Sequence, residues 1–132
     1  MEEWTGQLKE IIHGKWSDYL LSERLVEIRD ESWEQECIRQ IMNDEKHHYE
    51  AFQRLHHQIT GDYFRFEPDF SRIQDYRGGL HEAQQKEIEN YRWYRHMLLT
   101  APSSEVSTPF YIAMTDDIGH AILFGTLIAA AN

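Results

Sequence analysis

The sequence of 132 residues is short of cysteine and of basic side chains, and each shortage excludes a class of protein. Its one cysteine, Cys37, rules out an internal disulfide framework and any four-cysteine zinc or rubredoxin-like site. Lys and Arg number 13 against 23 Asp and Glu, which leaves a net charge of −10. We therefore expect no nucleic-acid partner, because phosphate backbones are bound by basic surfaces.

The sequence also lacks a secretion signal and a long apolar run. Its first residues, Met1 to Trp4, do not show the basic-then-apolar pattern of a signal peptide. The most apolar stretch covers only the 15 residues 118–132 and contains His120, so it predicts no membrane span. These features predict a soluble, cytoplasmic protein without a membrane partner.

Apolar residues at helical spacing are abundant, and only three prolines interrupt them. No segment alternates apolar and polar residues as a half-buried strand does. The pattern predicts an all-α chain that folds as one domain over residues 1–132. Its four helices are expected at about residues 3–29, 33–60, 72–100 and 105–131.

Local signals predict where some of these helices begin and end. The capping-box spacing S-x-x-Q occurs at Ser32 and again at Ser71, and it predicts the starts of the second and third helices. Gly61 is expected to end the second helix in the left-handed conformation that glycine adopts readily. The segment 61–71 is the one long connection, and it must join the two halves of the chain.

The chain also repeats. A shift of 72 residues superposes the first two predicted helices on the last two, with ten identities over 132 − 72 = 60 positions, where chance would give roughly four. Five of the identities fall in one pattern, M-x-D-[ED]-x-x-H-x-x-x-F-x-x-L, which occurs at 42–55 and 114–127. We therefore predict an antiparallel four-helix bundle made of two similar αα-hairpins, about residues 3–60 and 72–131.

On each helix that carries this pattern, the stripe predicted to face inward is apolar except for one acid and a histidine three residues later. The two pairs are Glu45 with His48 and Asp117 with His120. Residues three apart are neighbours on a helix surface, so each pair can converge on one point. A single pair would be typical of a hydrogen-bonded core histidine, but two pairs at equivalent positions favour a shared site, because buried carboxylates need a cation, a proton or hydrogen bonds.

The register of the hairpins adds one residue from each of the other two helices. Residues equidistant from the turn of an antiparallel hairpin lie at the same height. Glu45 and Asp117 each lie 15 residues beyond the turn of their hairpin, so their level partners are positions 15 and 87. These positions hold Lys15 and Glu87, roughly 22 Å from the turns at about 1.5 Å per residue, near the middle of the bundle.

The motifs Glu45-x-x-His48 and Asp117-x-x-His120, together with Glu87, resemble the ligand pattern of ferritin-like di-iron carboxylate proteins. The two-hairpin repeat and the phrase I-M-N-D-E-K-H-H-Y-E-A-F are similar to rubrerythrin-type domains. The resemblance covers residues 8–131 and implies a ferritin-like bundle that binds iron or another divalent metal. The implied metal ligands are Glu45, His48, Glu87, Asp117 and His120. In such sites the two motif carboxylates bridge the two irons.

The sequence departs from the family pattern at two positions, because Lys15 and Asp117 each stand where the family has Glu. Lys15 removes the terminal carboxylate from the metal position that keeps His48, so the resemblance implies a weakened site that holds one ion more readily than two. The Lys15 ammonium could take the vacated position and pair with Glu45 or Glu87. It could instead extend out of the bundle to solvent.

Different classes of function therefore remain open. The resemblance implies a metal-carboxylate protein, either a di-iron-type oxidoreductase that acts on oxygen or peroxide or a protein of iron handling. Such an oxidoreductase would need an external electron donor, since one cysteine cannot form a rubredoxin centre. The alternative is a metal-free structural or interaction module in which Lys15 pairs with the former ligand carboxylates. A bundle that binds a small cation in the same pocket is a third class.

Two further expectations concern the surroundings of the site. Tyr19 and Tyr91 follow the layer positions by four residues, and they are either hydrogen-bond partners of a ligand carboxylate or ordinary core residues. Residues 121–131 are apolar on more than one face of the fourth helix, which predicts a homodimer that packs through this helix.

Overall fold

The computed structural model describes residues 2–70 and 72–131. Within these ranges the chain forms four helices and no strand. They are α1 (Glu2–Ile28), α2 (Ser32–Thr60), α3 (Tyr76–Leu99) and α4 (Ser104–Ala130). The pairs α1–α2 and α3–α4 are antiparallel hairpins, which join through contacts of α1 with α3 and of α2 with α4. The predicted all-α bundle of two hairpins is confirmed.

The ends of α2 test two of the predicted signals. At its C-terminus Gly61 has a φ of 87°, and its N–H donates to the carbonyl of His57 at 2.8 Å, which confirms the left-handed cap. At its N-terminus the capping residue is Glu31, whose side chain makes no capping hydrogen bond, while Ser32 is already helical. The capping box predicted at Ser32 is therefore wrong.

The third helix begins at Tyr76, later than the predicted position 72. Its N-cap is Asp75, whose carboxylate accepts a hydrogen bond from the N–H of Gly78 at 2.6 Å. A side chain that satisfies a free N–H in the first turn is what sets such a boundary. Ser71, on which the predicted start depended, lies outside the described residues.

Two apolar clusters fill the bundle, one at each end. The cluster at the start of α1 and α4 contains Trp4, Leu8, Phe52, Met97 and Phe110. The cluster at the opposite end contains Leu21, Leu25, Ile38, Leu80 and Phe124. Because α2 ends at the first cluster and α3 begins at the second, the connection 61–75 runs along the bundle. Phe64 and Phe66 pack on the first cluster and Ile73 on the second.

The outer face of α4 is apolar and open. Tyr111, Ile118 and Ile122 are between 44% and 66% exposed. By length and composition alone α4 is apolar enough to cross a membrane, with a mean hydropathy of 1.3 over 18 residues, so the predicted absence of a membrane span stays a prediction. Core helices of soluble bundles meet the same criterion, and α4 has its Asp117 and His120 buried in this one. The homodimer through this helix stays a prediction.

Candidate metal centre

A layer of six ionisable side chains lies between the two apolar clusters, and all six are at most 5% exposed. Each of the four helices contributes to it at the position that helical spacing predicts. The members of this layer are Lys15 from α1, Glu45 and His48 from α2, Glu87 from α3, and Asp117 and His120 from α4. The structure thus brings together every candidate ligand named from the sequence, with Lys15 among them.

One diagonal of the layer is a buried ion pair. The Lys15 Nζ lies 3.2 Å from Asp117 Oδ2 and 3.4 Å from Oδ1, and both side chains are fully enclosed. Lys15 also lies over the ring of Tyr94, 5.3 Å from its centroid, a favourable place for a cation. Lys15 therefore points inward, and its partner is Asp117 instead of the predicted Glu45 or Glu87. The alternative in which Lys15 extends to solvent is wrong.

Electrostatics within this pair favours the charged forms. Burial by itself would lower the pKa of Lys15, but attraction from Asp117 and its neighbours raises it well above its usual value. Burial would likewise raise the pKa of Asp117, but the Lys15 ammonium lowers it to about 2. The positive charge in the layer is thus committed to Asp117, because opposite charges in a low-dielectric interior hold each other ionised.

The other diagonal carries two acids without a cation of their own. Burial and repulsion from Glu87 raise the pKa of Glu45 well above its usual value. Burial and repulsion from Asp117 raise the pKa of Glu87 to about 7. Lys15 attracts both carboxylates, but the attraction does not cancel these effects. Burial and mutual repulsion thus favour the protonated, neutral forms of Glu45 and Glu87, which relieves part of the surplus negative charge predicted for the layer.

The two histidines are each oriented by an aspartate from the other motif helix. The Nε2 of His48 lies 2.7 Å from Asp116 Oδ2, and the Nε2 of His120 lies 2.8 Å from Asp44 Oδ2. A carboxylate at Nε2 favours the proton on that nitrogen in a neutral ring, which leaves the Nδ1 lone pair free to bind an ion inside the bundle. Sequence reasoning gave no role to Asp44 and Asp116, although both belong to the repeated 14-residue pattern.

The surroundings of the two histidines differ in charge. Burial and the nearby Lys15 ammonium lower the pKa of His48. Burial would also lower the pKa of His120, but Asp117 and Glu87 raise it to about 10. Its Nδ1 lies 3.4 Å from Asp117 Oδ1 and 3.5 Å from Glu87 Oε2. The repeat therefore supplies two similar imidazoles, of which His120 faces the more negative half of the layer.

The layer is also where buried polar atoms lack partners. Of the seven buried side-chain nitrogen and oxygen atoms without a hydrogen bond in the described ranges, four lie here. They are Glu45 Oε2, Glu87 Oε2, His48 Nδ1 and His120 Nδ1. Unsatisfied buried polar groups are costly and call for an explanation such as an ion. These atoms face the interior of one layer, which is the arrangement that a metal ion would satisfy.

Buried acids elsewhere in the bundle do have hydrogen-bond partners. Glu34 is 1% exposed, yet one of its oxygens accepts from Arg29 at 3.0 Å and the other from the Tyr76 hydroxyl at 3.1 Å. Asp18, one turn beyond Lys15, accepts from Asn90 at 2.6 Å. The unpartnered state is therefore a property of Glu45 and Glu87 and not of buried acids in this protein.

Three of the layer residues form a group of the right size for one ion. Ligand atoms of Glu45, Glu87 and His120 all lie within 4.8 Å of one another. Two carboxylates and an imidazole suit iron, zinc and other divalent metals, which bind oxygen and nitrogen donors. His48 and Asp117 complete the predicted ligand set, but they lie beside Lys15: the His48 Nδ1 is 3.8 Å from Asp117 Oδ1.

The two tyrosines named from the sequence lie around this group and not in it. Tyr19 is half-buried and stacks on Trp16, with ring centroids 5.2 Å apart. Tyr91 is half-buried and lines a cleft between α3 and α4 that reaches Glu87. Neither tyrosine hydrogen-bonds to a layer residue within the described part of the chain. The tyrosine whose ring lies beneath the Lys15 ammonium is Tyr94, which is 1% exposed.

Comparison with solved structures identifies the fold. A crystal structure of ferritin-like, diiron-carboxylate proteins from Bacillus anthracis strain Ames superposes on this chain with a TM-score of 0.86, over 96% of each chain and at 16% sequence identity. At that identity the likeness concerns the fold, which is the ferritin-like four-helix bundle predicted from the motifs. No protein-family model matches the sequence, and no curated protein does.

Proposed function

We propose that this ferritin-like bundle binds one divalent metal ion, with Glu45, Glu87 and His120 as ligands. The observation that supports this proposal is the set of buried atoms without partners: each of the three residues has one, and their ligand atoms lie within 4.8 Å of one another. A divalent cation would displace the protons that the metal-free layer favours on Glu45, Glu87 and His120, and it would then balance the charge of the two carboxylates.

Lys15 limits this site to one ion. Its ammonium lies in the half of the layer that holds His48 and Asp117, and its pairing with Asp117 occupies the carboxylate that would otherwise bridge two metals. A second cation there would meet the repulsion of a buried positive charge with little solvent to screen it. The ion pair thus takes the place of the second metal of a di-iron centre.

If the bound ion is iron, it supplies electron transfer to oxygen or peroxide, or serves iron handling. The protein residues then have distinct tasks. Glu45 and Glu87 neutralise the ion, Asp44 orients His120 through its 2.8 Å hydrogen bond, and Lys15 keeps Asp117 ionised next to the site. For redox turnover the electrons come from an external donor, as the single cysteine requires.

The metal-free interaction module remains the second candidate, and the Lys15–Asp117 ion pair is the observation that favours it. A cation built into the chain is how a former metal site would be closed. The position of the pair weighs against this function, because Lys15 leaves one oxygen of Glu45 and one of Glu87 without a hydrogen bond. A completed replacement would have satisfied these two acids.

Metal content decides between the two functions. Protein purified after loading with Fe(II) without oxygen is expected to retain about one ion per chain, whereas Glu87→Ala should lose it. The matched control is Glu82→Ala, which removes an exposed acid from the same helix and should retain the ion. Parent protein without metal after loading, or Glu87→Ala with unchanged metal content, would overturn the proposal.

A further inference from the structure

We infer that the cleft between α3 and α4 binds a small, mostly apolar molecule with one neutral polar end, which reaches the metal centre at Glu87. The cleft has a volume of about 350 Å³, within the range of small-molecule sites. The part of the inference in which the polar end of the ligand reaches a metal rests on the proposed function. The part in which the apolar body binds between α3 and α4 rests on the geometry of the cleft.

The walls and the floor of the cleft differ in chemistry. Its walls carry Ile88, Tyr91, Ile118 and Ile122, and its floor carries the layer residues Glu87 and Asp117. Glu87 is 2% exposed, and its Oε2 has no hydrogen-bond partner. A groove with apolar walls that ends at an unpartnered, buried acid suits a ligand with an apolar body and a polar end that donates a hydrogen bond or binds the metal.

Small residues on α4 keep this cleft open. Ala121 and Gly125, four residues apart, line it opposite Gln84 of α3. Gln84 donates to the carbonyl of Ala121 at 3.1 Å, and a Cβ on Gly125 would lie 3.1 Å from the same amide nitrogen. Larger side chains at these positions would close the space between the helices.

A second cleft, on the opposite side of α4, makes the contrast clear. It is lined by Asp44, His48 and Asp116, among others, and its volume is also about 350 Å³. The two aspartates are 44% and 40% exposed, and Arg54 also lines this cleft, so this side presents charged groups of both signs to solvent. The apolar cleft lacks such a rim. Of its two carboxyl groups Asp117 is neutralised by Lys15, so Glu87 is the one that would repel an anionic ligand, which is why we assign a neutral ligand to the cleft.

The test uses straight-chain primary alcohols from butanol to octanol, titrated by calorimetry into the metal-free and the Zn(II)-loaded protein. Affinity should rise about fourfold with each methylene group until the cleft is full. Octanoate should bind the metal-free protein at least tenfold more weakly than octanol, because a carboxylate loses its hydration in the apolar cleft and meets Glu87 at the floor. Affinity that does not depend on chain length, or octanoate binding as tight as that of octanol, would overturn the inference.

Two variants locate the binding in the cleft. Ala121→Phe fills it, and the same substitution at Ala129, which is exposed on α4 and does not line the cleft, is the matched control. Ile122→Glu places a charge at the mouth at a residue that is 66% exposed, so folding should not suffer. Ala121→Phe and Ile122→Glu should each lose at least tenfold in octanol affinity, whereas Ala129→Phe should bind as the parent does.

Metal content of the same samples separates this inference from the proposed function. Zn(II) retained by every variant, with octanol binding lost only in the two cleft variants, supports both. Zn(II) retained without octanol binding overturns the cleft alone. Octanol binding in a parent that retains no Zn(II) overturns the metal centre and keeps the ligand site. Sedimentation in which Ile122→Glu dissociates a dimer, without any octanol binding, would make the cleft a subunit interface and overturn the inference.

Discussion

The two hairpins place equivalent residues in the same layer, but they fill one pair of positions with opposite charges. Position 15 on α1 holds Lys and position 87 on α3 holds Glu, 72 residues apart. In the half of the layer with Lys15, the charge of Asp117 is met by an ion pair and His48 Nδ1 lacks a hydrogen bond, whereas in the other half Glu45 Oε2, Glu87 Oε2 and His120 Nδ1 all lack one. The half with Lys15 thus contains its own cation, while the half with Glu87 holds the group of atoms that an ion would satisfy.

The largest effect on stability should follow from removing the Lys15 ammonium, the cation of the half that contains the ion pair. Lys15→Leu leaves Asp117 buried without its partner, and we expect unfolding free energy to fall by about 3–5 kcal/mol. Urea denaturation of the metal-free protein measures this change. The double variant Lys15→Leu/Asp117→Leu should recover most of the loss, because it buries no unpaired charge. A loss below about 1 kcal/mol in the single variant would show that the pair does not hold this half together.

Replacing Lys15 by Glu, so that α1 and α3 both carry an acid at the equivalent layer position, should restore a second metal position. In Lys15→Glu the position equivalent to Glu87 regains a carboxylate, and Asp117 is freed from its ion pair. Elemental analysis after Fe(II) loading should show about two ions per chain instead of one. Lys46→Glu, which makes the same charge change at an exposed position of α2, should leave the count unchanged. An unaltered count in Lys15→Glu would contradict the assignment of Lys15 to the second metal position.

Matched substitutions of Asp44 and Asp116, the aspartates that hydrogen-bond to the two histidines, should show which histidine binds the metal. Asp44 holds His120, a member of the three-residue group, and Asp116 holds His48, which lies outside it. Asp44→Ala should weaken metal binding by about 10–100-fold, the usual effect of losing such a support. Asp116→Ala should change the affinity much less. Equal losses, measured with a competing chelator, would mean that both histidines bind the ion.

The smallest effect concerns a pair of equivalent glycines near the helix starts. A Cβ on Gly6 of α1 would meet nothing within 4 Å, whereas one on Gly78 of α3 would lie 3.0 Å from the Asp75 carboxylate that caps the helix. Gly6→Ala should therefore raise the free energy of unfolding by about 0.5–1 kcal/mol, measured by thermal denaturation. Gly78→Ala should gain less or destabilise the protein. Equal gains would show that the Asp75 cap tolerates the added methyl group.

Much of this site follows from local periodicity, as two particular stripes show. The acid–histidine pairs predicted to face inward on α2 and α4, Glu45 with His48 and Asp117 with His120, are all buried. A helix repeats its faces at a fixed angle per residue, so the sequence of one helix specifies which side chains share a face. The register of the two hairpins then predicted that positions 15 and 87 lie level with Glu45 and Asp117.

Contacts between side chains of different helices were harder to predict from the sequence. The partner of Lys15 was predicted on α2 or α3 and is on α4, and the supports of the two histidines were not recognised. Both depend on how far each helix is rotated about its own axis and on how far a side chain reaches across the core. The start of α3 was missed for a different reason, since the residue that caps the helix is Asp75, which is followed three residues later by Gly78 and so carries no S-x-x-Q signal.

The amino-acid order by itself determined the four helices, their pairing as a repeat and the membership of the ionisable layer, because these depend on spacing along single helices. The tertiary structure alone decided that Lys15 neutralises Asp117 across the bundle while Glu45, Glu87 and His120 are left facing one another. Such a division arises from distances between helices, which no periodic pattern encodes. The same packing leaves an apolar cleft on one side of α4 and, on the other, a cleft lined by the half-buried Asp44 and Asp116.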